Sequence, residues 1–408
     1  MNMELPSGVT NIIERLNMAG YEAFAVGGCV RDRLLFRTPG DWDITTQATP
    51  QQVKALFDRT VDTGIQHGTV TVLIGKEGFE VTTYRVDGEY EDGRHPKEVS
   101  FTASLTEDLK RRDFTINAMA YHPKQGLIDI FGGEQDLKEK RVRCVGEPTE
   151  RFTEDALRIM RAARFGAQLG FTVEERTKEA MAELKERLRM VSVERIYTEL
   201  KKLLLSEHPE YLDLMIDTGV FQVVIPELAE AVEQEDIRKK MLKRLQESPA
   251  DIYIRLALLF DTCLKGEGED KKDAASKLLR RLKTDGETIK NVKNLVFLAD
   301  KELEAEEIPI RQFLSHYPED LLMRYLAIRE VETGESPENQ RLLAEKILKR
   351  GDCVSIRQLA ITGSDLLEMG VPHGKKIGEI LEYLLNEVLK KQELNEKEQL
   401  LKMAKQKL

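Results

Sequence analysis

The segment EAFAVGGCVRDRLLFRTPGDWDITT, residues 22–46, carries the strongest fold signal in the chain. A short apolar β-like run ends at Gly27 and Gly28, a helical stretch follows, and a turn leads into a second β-like run. Glycines at a strand-to-helix junction let the backbone approach an anion, and the first turn of a helix offers N–H groups to phosphate. We therefore predict a phosphate-binding junction at Gly28, although a simple tight turn has the same sequence signature.

Two aspartates begin the second β-like run of this segment. Side chains two residues apart on a strand point to the same face, so the carboxylates of Asp41 and Asp43 project together. Neighbouring carboxylates repel unless a cation lies between them, and hard oxygen ligands favour magnesium. Asp41 and Asp43 are therefore candidate catalytic metal ligands, with two solvated loop aspartates as the alternative. Trp42 faces the opposite way and is predicted to anchor the core.

A third carboxylate lies in the β-like run FEVTTYR, residues 79–85. If this run forms the strand beside the two aspartates, Glu80 falls near them and joins the catalytic carboxylates. The alternative is a solvent-exposed glutamate on a strand. Without knowledge of the strand pairing, both interpretations stay open.

Two arginines in the N-terminal third are candidate phosphate ligands. Arg31 occupies the first turn of the helix that follows the glycine pair, where its guanidinium can clamp a phosphate. Arg112 belongs to the cationic trio of KRRDFTIN, which suits contacts to a triphosphate or a ribose. The alternative for Arg112 is an ordinary i,i+4 pair with Asp108 on a helix predicted over residues 107–119.

Four charged side chains recur every third residue on a helix predicted to begin with Thr153 as its N-cap: Asp155, Arg158, Arg161 and Arg164. A carboxylate accepts hydrogen bonds and a guanidinium donates them. Cytosine and adenine present an exocyclic amine beside an unprotonated ring nitrogen, whereas uracil and guanine present a carbonyl beside a ring N–H. Asp155 and Arg158 can therefore select C and A without a nucleic-acid template. The alternative is a Glu154–Arg158 salt bridge within the helix.

Length and composition bound the rest of the chain. With 408 residues, of which 41% are hydrophobic and 33% charged, two or more domains are expected. The β-like runs stop after Thr153 and periods of 3.6 residues follow, which predicts an all-helical remainder. The sequence contains neither a run of about 18 apolar residues nor a basic-then-apolar leader, so we expect a cytoplasmic protein without membrane contact.

The cysteines, histidines and net charge argue against several kinds of site. The four cysteines and six histidines are scattered, which disfavours a disulfide framework and a zinc site. The formal net charge of −10 does not favour nucleic-acid binding, but a polyanion needs only a local basic patch. Three basic pairs are candidates for such a patch, each with a solvated helix face as the alternative: Lys201/Lys202, Arg280/Arg281 and Lys375/Lys376.

Six motifs occur in a fixed order over about residues 20–205: GGCVRD, GDWDITT, FEVTTYR, RRDFTINAM, EDALRIMRAARF and RIYTELKKLL. In order and spacing they resemble the successive motifs of class II tRNA nucleotidyltransferases, the bacterial CCA-adding enzymes, most closely those of the Bacillus-like type. The segment ITGSDLLEMGVPHGKKIGEILEYLLNEVL, residues 361–389, is similar to the tail of that family. Trp42 departs from the family pattern, because an aliphatic residue is common between the two aspartates.

The resemblance implies a fold and a set of site residues. It implies an α+β nucleotidyltransferase head, a mixed sheet with helices, over residues 1–150. All-helical segments follow: a neck with base recognition (151–207), a body (208–305) and a tail that binds tRNA (306–408). The implied site consists of metal ligands Asp41 and Asp43, the third carboxylate Glu80, triphosphate contacts Gly28, Arg31 and Arg112, base contacts Asp155 and Arg158, and the assisting residues Arg161 and Arg164.

The resemblance also implies an activity. The expected reaction is the addition and repair of the 3′-terminal CCA of tRNA from CTP and ATP. The RNA 3′-OH attacks the nucleotide α-phosphate with release of pyrophosphate, assisted by two Mg²⁺ ions. The expected partners are therefore tRNA, CTP and ATP, and a homodimer stays open.

Several related activities remain as alternatives. An A-adding or CC-adding relative and a bacterial poly(A) polymerase belong to the same class, and a non-catalytic RNA-binding protein belongs to another. The Gly- and charge-rich segment Val86 to Val99 is similar to the flexible loop of enzymes that add the full CCA, and we expect its deletion to spare C addition but stop A addition. The C-terminal residues lack the long basic tail common in poly(A) polymerases. Paired Asp41 and Asp43 disfavour a pure binding protein.

Overall fold

The computed structural model describes residues 3–87 and 99–407 and divides the chain into two units, Met1–Gln234 and Glu235–Leu408. The sheet predicted for the N-terminal part lies in the first unit. The loop predicted between Val86 and Val99 falls almost entirely on residues outside the described ones. The finer division into head, neck, body and tail stays a prediction.

The described residues of the first unit form eleven strands: β1 (Ala23–Val26), β2 (Asp43–Thr46), β3 (Thr60–Gly64), β4 (Thr69–Ile74), β5 (Glu77–Thr83), β6 (Arg85–Asp87), β7 (Val99–Phe101), β8 (Met119–His122), β9 (Gly126–Asp129), β10 (Arg141–Val142) and β11 (Thr172–Val173). Seven of them form the main sheet in the order β3-β4-β5-β2-β1-β8-β9. The β2–β5 pair is parallel and the other neighbours are antiparallel. The predicted mixed sheet is therefore confirmed.

Strand β1 lies near the middle of the sheet, and all four of its residues are buried. On one face Phe24 and Val26 pack with Tyr84 and Leu109. A central strand covered on both faces has a continuous apolar sequence rather than an alternating one. This explains the apolar run that ends at the glycine pair.

The helices of the first unit are α1 (Ser7–Met18), α2 (Gly28–Leu34), α3 (Pro50–Leu56), α4 (Leu105–Lys110), α5 (Gly133–Lys138), α6 (Pro148–Glu154), α7 (Leu157–Leu169), α8 (Glu175–Leu184), α9 (Val193–Leu204), α10 (Leu212–Asp217), α11 (Val220–Val224) and α12 (Ala229–Val232). The helix predicted over residues 107–119 is wrong, because α4 ends at Lys110. Phe114 has an extended backbone, a 3₁₀ turn follows, and β8 begins at Met119. Phe114, Ile116 and Met119 are fully buried, as predicted.

The helix predicted to start at Thr153 is also wrong. Thr153 lies inside α6, which begins five residues earlier at Pro148 because proline suits the first helical turn. Asp155 separates α6 from α7 because its backbone is extended, with φ −137° and ψ 103°. Its side chain accepts the N–H of Leu157 at 3.0 Å, so Asp155 caps α7.

The described residues of the second unit are helical: α13 (Glu235–Glu247), α14 (Ile252–Cys263), α15 (Gly268–Arg281), α16 (Gly286–Leu298), α17 (Glu307–His316), α18 (Glu319–Thr333), α19 (Glu338–Arg350), α20 (Gly363–Glu368), α21 (Lys375–Lys390) and α22 (Lys397–Lys405), with short 3₁₀ turns between some of them. The prediction of an all-helical remainder holds apart from β11 in the first unit. Across the described parts of the chain, the helices lack the combined length and apolar character needed to cross a bilayer.

Candidate active site

A cavity of about 480 Å³ in the first unit collects nine of the ten predicted site residues. Glu80 is the exception. The lining consists of Gly28, Arg31, Asp41, Asp43, Arg111, Arg112, Asp113, Asn117, Asp155, Leu157, Arg158, Arg161, Arg164, Phe165 and Arg195. A slightly larger cavity of about 550 Å³, lined by residues such as Glu175 and Asp213, contains none of the predicted residues. The cavity of about 480 Å³ is therefore the candidate active site because of the residues that line it and not because of its volume.

The strand register explains how the carboxylates meet. Ala25 of β1 pairs with Ile44 of β2, so the end of β1 lies beside the start of β2. In the parallel β2–β5 pair, Asp43 is the register partner of Glu80. The two strands therefore pair, which is the condition under which the sequence placed Glu80 near the aspartates. Strand β2 begins only at Asp43, however, so Asp41 lies in the turn before the strand rather than on it.

The carboxylates next to β2 repel one another. Burial and the negative charges of Asp41 and Glu80 raise the pKa of Asp43 to about 6, against a smaller opposing effect of Arg112. In the described residues, no group of three His, Cys, Asp or Glu has a geometry ready to hold a metal. A hard divalent cation fits this donor set, because it supplies the missing positive charge to Asp41 and Asp43. Trp42, predicted to anchor the core, is only half-buried.

The steric restriction in the glycine pair falls on Gly27, one residue before the predicted site residue Gly28. Gly27 has φ 81°, and a Cβ on it would lie 2.8 Å from Nη1 of Arg112. Gly28 starts α2 and has no such restriction. Arg31, one turn further on, donates to the amide oxygen of Asn117 at 2.6 Å. The junction therefore brings Arg31 and Arg112 to the same side of the cavity.

Asp108 holds two arginines of the cavity wall. Arg111 donates to it at 2.8 Å, and Arg112 lies 3.5 Å away, so the predicted Asp108–Arg112 pair is present. Although burial acts in the opposite direction, the charges of Arg111 and Arg112 lower the pKa of Asp108. Thr45 of β2 also donates to this carboxylate. The pair and the cavity position of Arg112 are compatible, since Asp108 orients the guanidinium from behind.

Two arginines of α7 and one of α2 surround the aromatic ring of Phe165. Arg164, Arg31 and Arg161 lie 3.8, 5.2 and 5.3 Å from the ring centre of Phe165. Arg161 donates to Asp113 at 2.7 Å. Although burial alone would raise it, the positive charges of Arg161 and Arg158 lower the pKa of Asp113 to about 2. The ring and the carboxylate reduce the repulsion among these guanidinium groups.

Asp155 and Arg158 both line the cavity, but each has protein partners. Asp155 receives the N–H of Leu157 on one oxygen and Nη2 of Arg195 on the other, at 3.0 and 3.1 Å. Arg158 donates to Glu154 at 2.6 Å, so the salt bridge that was the alternative interpretation of Arg158 is present. Its other guanidinium nitrogen donates to the carbonyl of Arg111 at 2.8 Å. Both side chains are thus fixed at the cavity wall by contacts within the protein.

Sequence patterns missed Asp113, Phe165 and Arg195. Asp113 and Phe165 lie inside quoted motifs, where their charge and aromaticity were the available signals. Arg195 lies 40 residues from Asp155 along the chain, and only the tertiary fold brings them together. With these residues included, the cavity has seven arginines and four aspartates. The arginines suit a polyphosphate, and the carboxylates beside β2 suit its metal ion.

Three family models match the chain. The model described as the poly A polymerase head domain matches residues 23–143. The model described as the probable RNA and SrmB-binding site of polymerase A matches residues 170–232. The model described as tRNA nucleotidyltransferase domain 2 matches residues 260–404.

Curated relatives and solved structures are similar over nearly the whole chain. The CCA-adding enzyme of Levilactobacillus brevis is 38% identical and covers 95% of this chain and 94% of its own. That of Anoxybacillus flavithermus is 38% identical and covers 97% and 95%. The crystal structure of the Bacillus stearothermophilus CCA-adding enzyme in complex with CTP has a TM-score of 0.85 and 32% identity, and the match covers 99% of this chain and 98% of that one.

Proposed function

This chain belongs to the CCA-adding enzymes, and we propose that it adds and repairs the 3′-terminal CCA of tRNA from CTP and ATP without a nucleic-acid template. The observation that supports this most is a single cavity whose wall contains both the carboxylates beside β2 and seven arginines. Such a cavity suits a nucleoside triphosphate with its metal. A tRNA substrate would place the enzyme in the cytoplasm.

Asp41 and Asp43 would hold Mg²⁺, with Glu80 as the third carboxylate of the group. The raised pKa of Asp43 supports this assignment, because burial and the neighbouring carboxylates of Asp41 and Glu80 both disfavour its negative charge, which a bound cation would stabilise. Bound Mg²⁺ would lower the pKa of the RNA 3′-OH and neutralise charge on the phosphates. Carboxylates and phosphates are the ligands that magnesium prefers among biological donors.

Arg31 and Arg112, beside Gly28, would bind the triphosphate, and Arg161 and Arg164 would assist. The RNA 3′-OH attacks the α-phosphate in line with the departing pyrophosphate. Negative charge grows on the pyrophosphate as its bond to the α-phosphate breaks. Guanidinium groups held in advance by Asp108, Asp113 and Phe165 stabilise that charge without reorganising.

Asp155 and Arg158 would select the base. The carboxylate accepts from the exocyclic amine of C or A, and the guanidinium donates to the adjacent ring nitrogen. With U or G, a carbonyl would face the carboxylate and an N–H would face the guanidinium. The helical parts of the chain, divided as neck, body and tail, would bind the tRNA through shape and backbone contacts. Exposed basic residues such as Lys202, Arg280 and Lys375 are candidates for those contacts.

One observation supports a second candidate activity. The model that matches residues 23–143 is described as a poly A polymerase head domain, and a poly(A) polymerase would need the same cavity. The two activities differ in the nucleotides that are added and therefore in the product sequence. We therefore distinguish them by product sequence rather than by rate.

The proposed function is tested by sequencing RNA 3′ ends. A tRNA ending before its CCA is incubated with CTP, with ATP or with both, and the products are sequenced. We expect two added C residues with CTP alone and complete CCA with both nucleotides, with no further extension. Runs of A would identify a poly(A) polymerase, and products that stop after CC with both nucleotides would identify a CC-adding enzyme.

A further inference from the structure

Helix α9 carries two charged side chains that hold residues of the nucleotide cavity, and one of them, Arg195, lines the cavity itself. Arg195 and Glu199 are four residues apart, a spacing at which such residues commonly pair with each other on a helix. Each instead pairs with a residue that lines the cavity. Arg195 donates to Asp155 at 3.1 Å, and Glu199 accepts from Arg164 at 2.5 Å. The motif that contains them therefore fixes the site as well as the fold.

The carboxylate of Asp155 is fixed by two donors from different elements. The N–H of Leu157 at the start of α7 binds one oxygen at 3.0 Å, and Nη2 of Arg195 on α9 binds the other at 3.1 Å. The Asp155 and Arg195 side chains are 20% and 23% exposed, so water does not fully screen the ion pair. Each carboxylate oxygen can accept more than one hydrogen bond. Asp155 can therefore accept from a base amine while both partners stay bound.

We propose that Arg195 is a positioning residue for base selection, acting through Asp155. The torsion that turns an aspartate carboxylate is soft, so a single backbone hydrogen bond leaves the group free to rotate. Arg195 holds the second oxygen and keeps the carboxylate aimed at one place on the base edge. Loss of this contact lets the carboxylate turn away from a uracil carbonyl, so U is no longer rejected. The inference rests on the proposed function.

Arg195→Met tests the proposal, because methionine keeps much of the side-chain length but removes the charge. The readout is kcat/KM for CTP and for UTP on a tRNA that ends before its CCA. We expect the C-over-U ratio to fall about tenfold, the worth of one hydrogen bond to a charged group. The melting temperature and the KM for tRNA should stay at their wild-type values. Arg195→Lys should restore part of the ratio, because it returns a positive donor.

Arg176→Met is the matched control. Arg176 also pairs with a glutamate, Glu147 at 2.7 Å, but it is exposed and does not line the cavity. Its loss should leave the C-over-U ratio unchanged. A fall in the ratio equal to that of Arg195→Met would overturn the proposal, since any lost ion pair would then have the same effect.

The decisive arm is the double variant. In an Asp155→Ala background, Arg195→Met should lower the C-over-U ratio no further, because Arg195 acts through that carboxylate. A further fall of the same size would mean that Arg195 contacts the base directly, and an unchanged ratio in the single variant would mean a purely structural ion pair. Either result overturns the proposal. A wild-type chain that adds no C to tRNA would instead contradict the proposed function itself.

Discussion

Each unit contains a cluster of charged side chains, but only in the second unit is the cluster balanced, with a cation beside each of its carboxylates. In the second unit Arg244 pairs with Asp261 at 2.9 Å and with Glu332, and Lys271 pairs with Asp261 at 2.6 Å. Two cations thus meet two anions. In the first unit the arginines of the cavity wall also have carboxylate partners, such as Asp108 and Glu199, whereas Asp43 lies beside the further negative charges of Asp41 and Glu80. A balanced cluster stabilises the fold, and an unbalanced one requires a ligand.

The largest expected effect is the loss of nucleotide addition when a carboxylate beside β2 is replaced. Asp43→Asn should reduce nucleotide addition by about a thousandfold or more, because it removes a ligand of the metal ion. Phosphoryl transfer depends on that ion to neutralise the charge of the phosphates. Binding of tRNA, measured by gel shift, should stay at the wild-type level. Addition above a few per cent of wild type would place the metal site elsewhere. Asp62→Asn, an exposed aspartate paired with Lys54, is the control.

The balanced cluster should behave in the opposite way. Arg244→Met leaves Asp261 and Glu332 short of one cation in a buried place, so we expect the free energy of unfolding to fall by about 3 kcal/mol. Denaturant unfolding measures this loss, and Lys243→Met on the exposed side of α13 is the control. Nucleotide addition by the folded variant should be unchanged. An activity loss at a temperature where the variant is folded would contradict the division between structural and ligand-binding clusters.

A smaller effect, on nucleotide preference, is expected when a base-selecting residue is replaced. Asp155→Ala should lower the preference for CTP over UTP by about tenfold to a hundredfold, because one mispaired buried polar contact costs about 1–3 kcal/mol. Incorporation of all four nucleotides measures the ratio. If total activity falls while the ratio stays at its wild-type value, Asp155 is only the cap of α7 and the partner of Arg195.

Sequence reasoning recovered the parts of the site that depend on local patterns. The closeness of Asp41 and Asp43 and the Asp108–Arg112 pair were predictable from residue spacing, and Glu80 was predictable as a neighbour of Asp43 once its strand was assumed to pair with β2. These features need only neighbouring residues or one correct strand pairing. Nine of the ten predicted residues consequently line one cavity.

The features that were missed depend on competition between local signals or on tertiary contacts. Thr153 and Asp155 are both good N-caps, and the sequence alone does not show that Pro148 starts the earlier helix and leaves Asp155 to cap α7. Arg195 reaches Asp155 only because α9 packs on α7. The helix predicted over residues 107–119 failed because burial of Phe114 and Ile116 requires extended backbone and a 3₁₀ turn.

The proposed chemistry depends on a divalent cation bound by Asp41 and Asp43. Binding of this cation is measured by the melting temperatures of wild type and Asp43→Asn with and without Mg²⁺. The pKa of Asp43 is about 6 in the folded chain and near its ordinary 3.8 when unfolded. Protonation of Asp43 therefore favours the folded state. This contribution to stability is complete below about pH 4 and is lost as the pH rises through about 6. Without Mg²⁺, we expect the two proteins to melt alike at about pH 4, and wild type to melt at the lower temperature at about pH 7.5. Addition of Mg²⁺ at the higher pH should raise the melting temperature of wild type but not of Asp43→Asn. Equal responses of both proteins to Mg²⁺ and to pH would contradict the assignment.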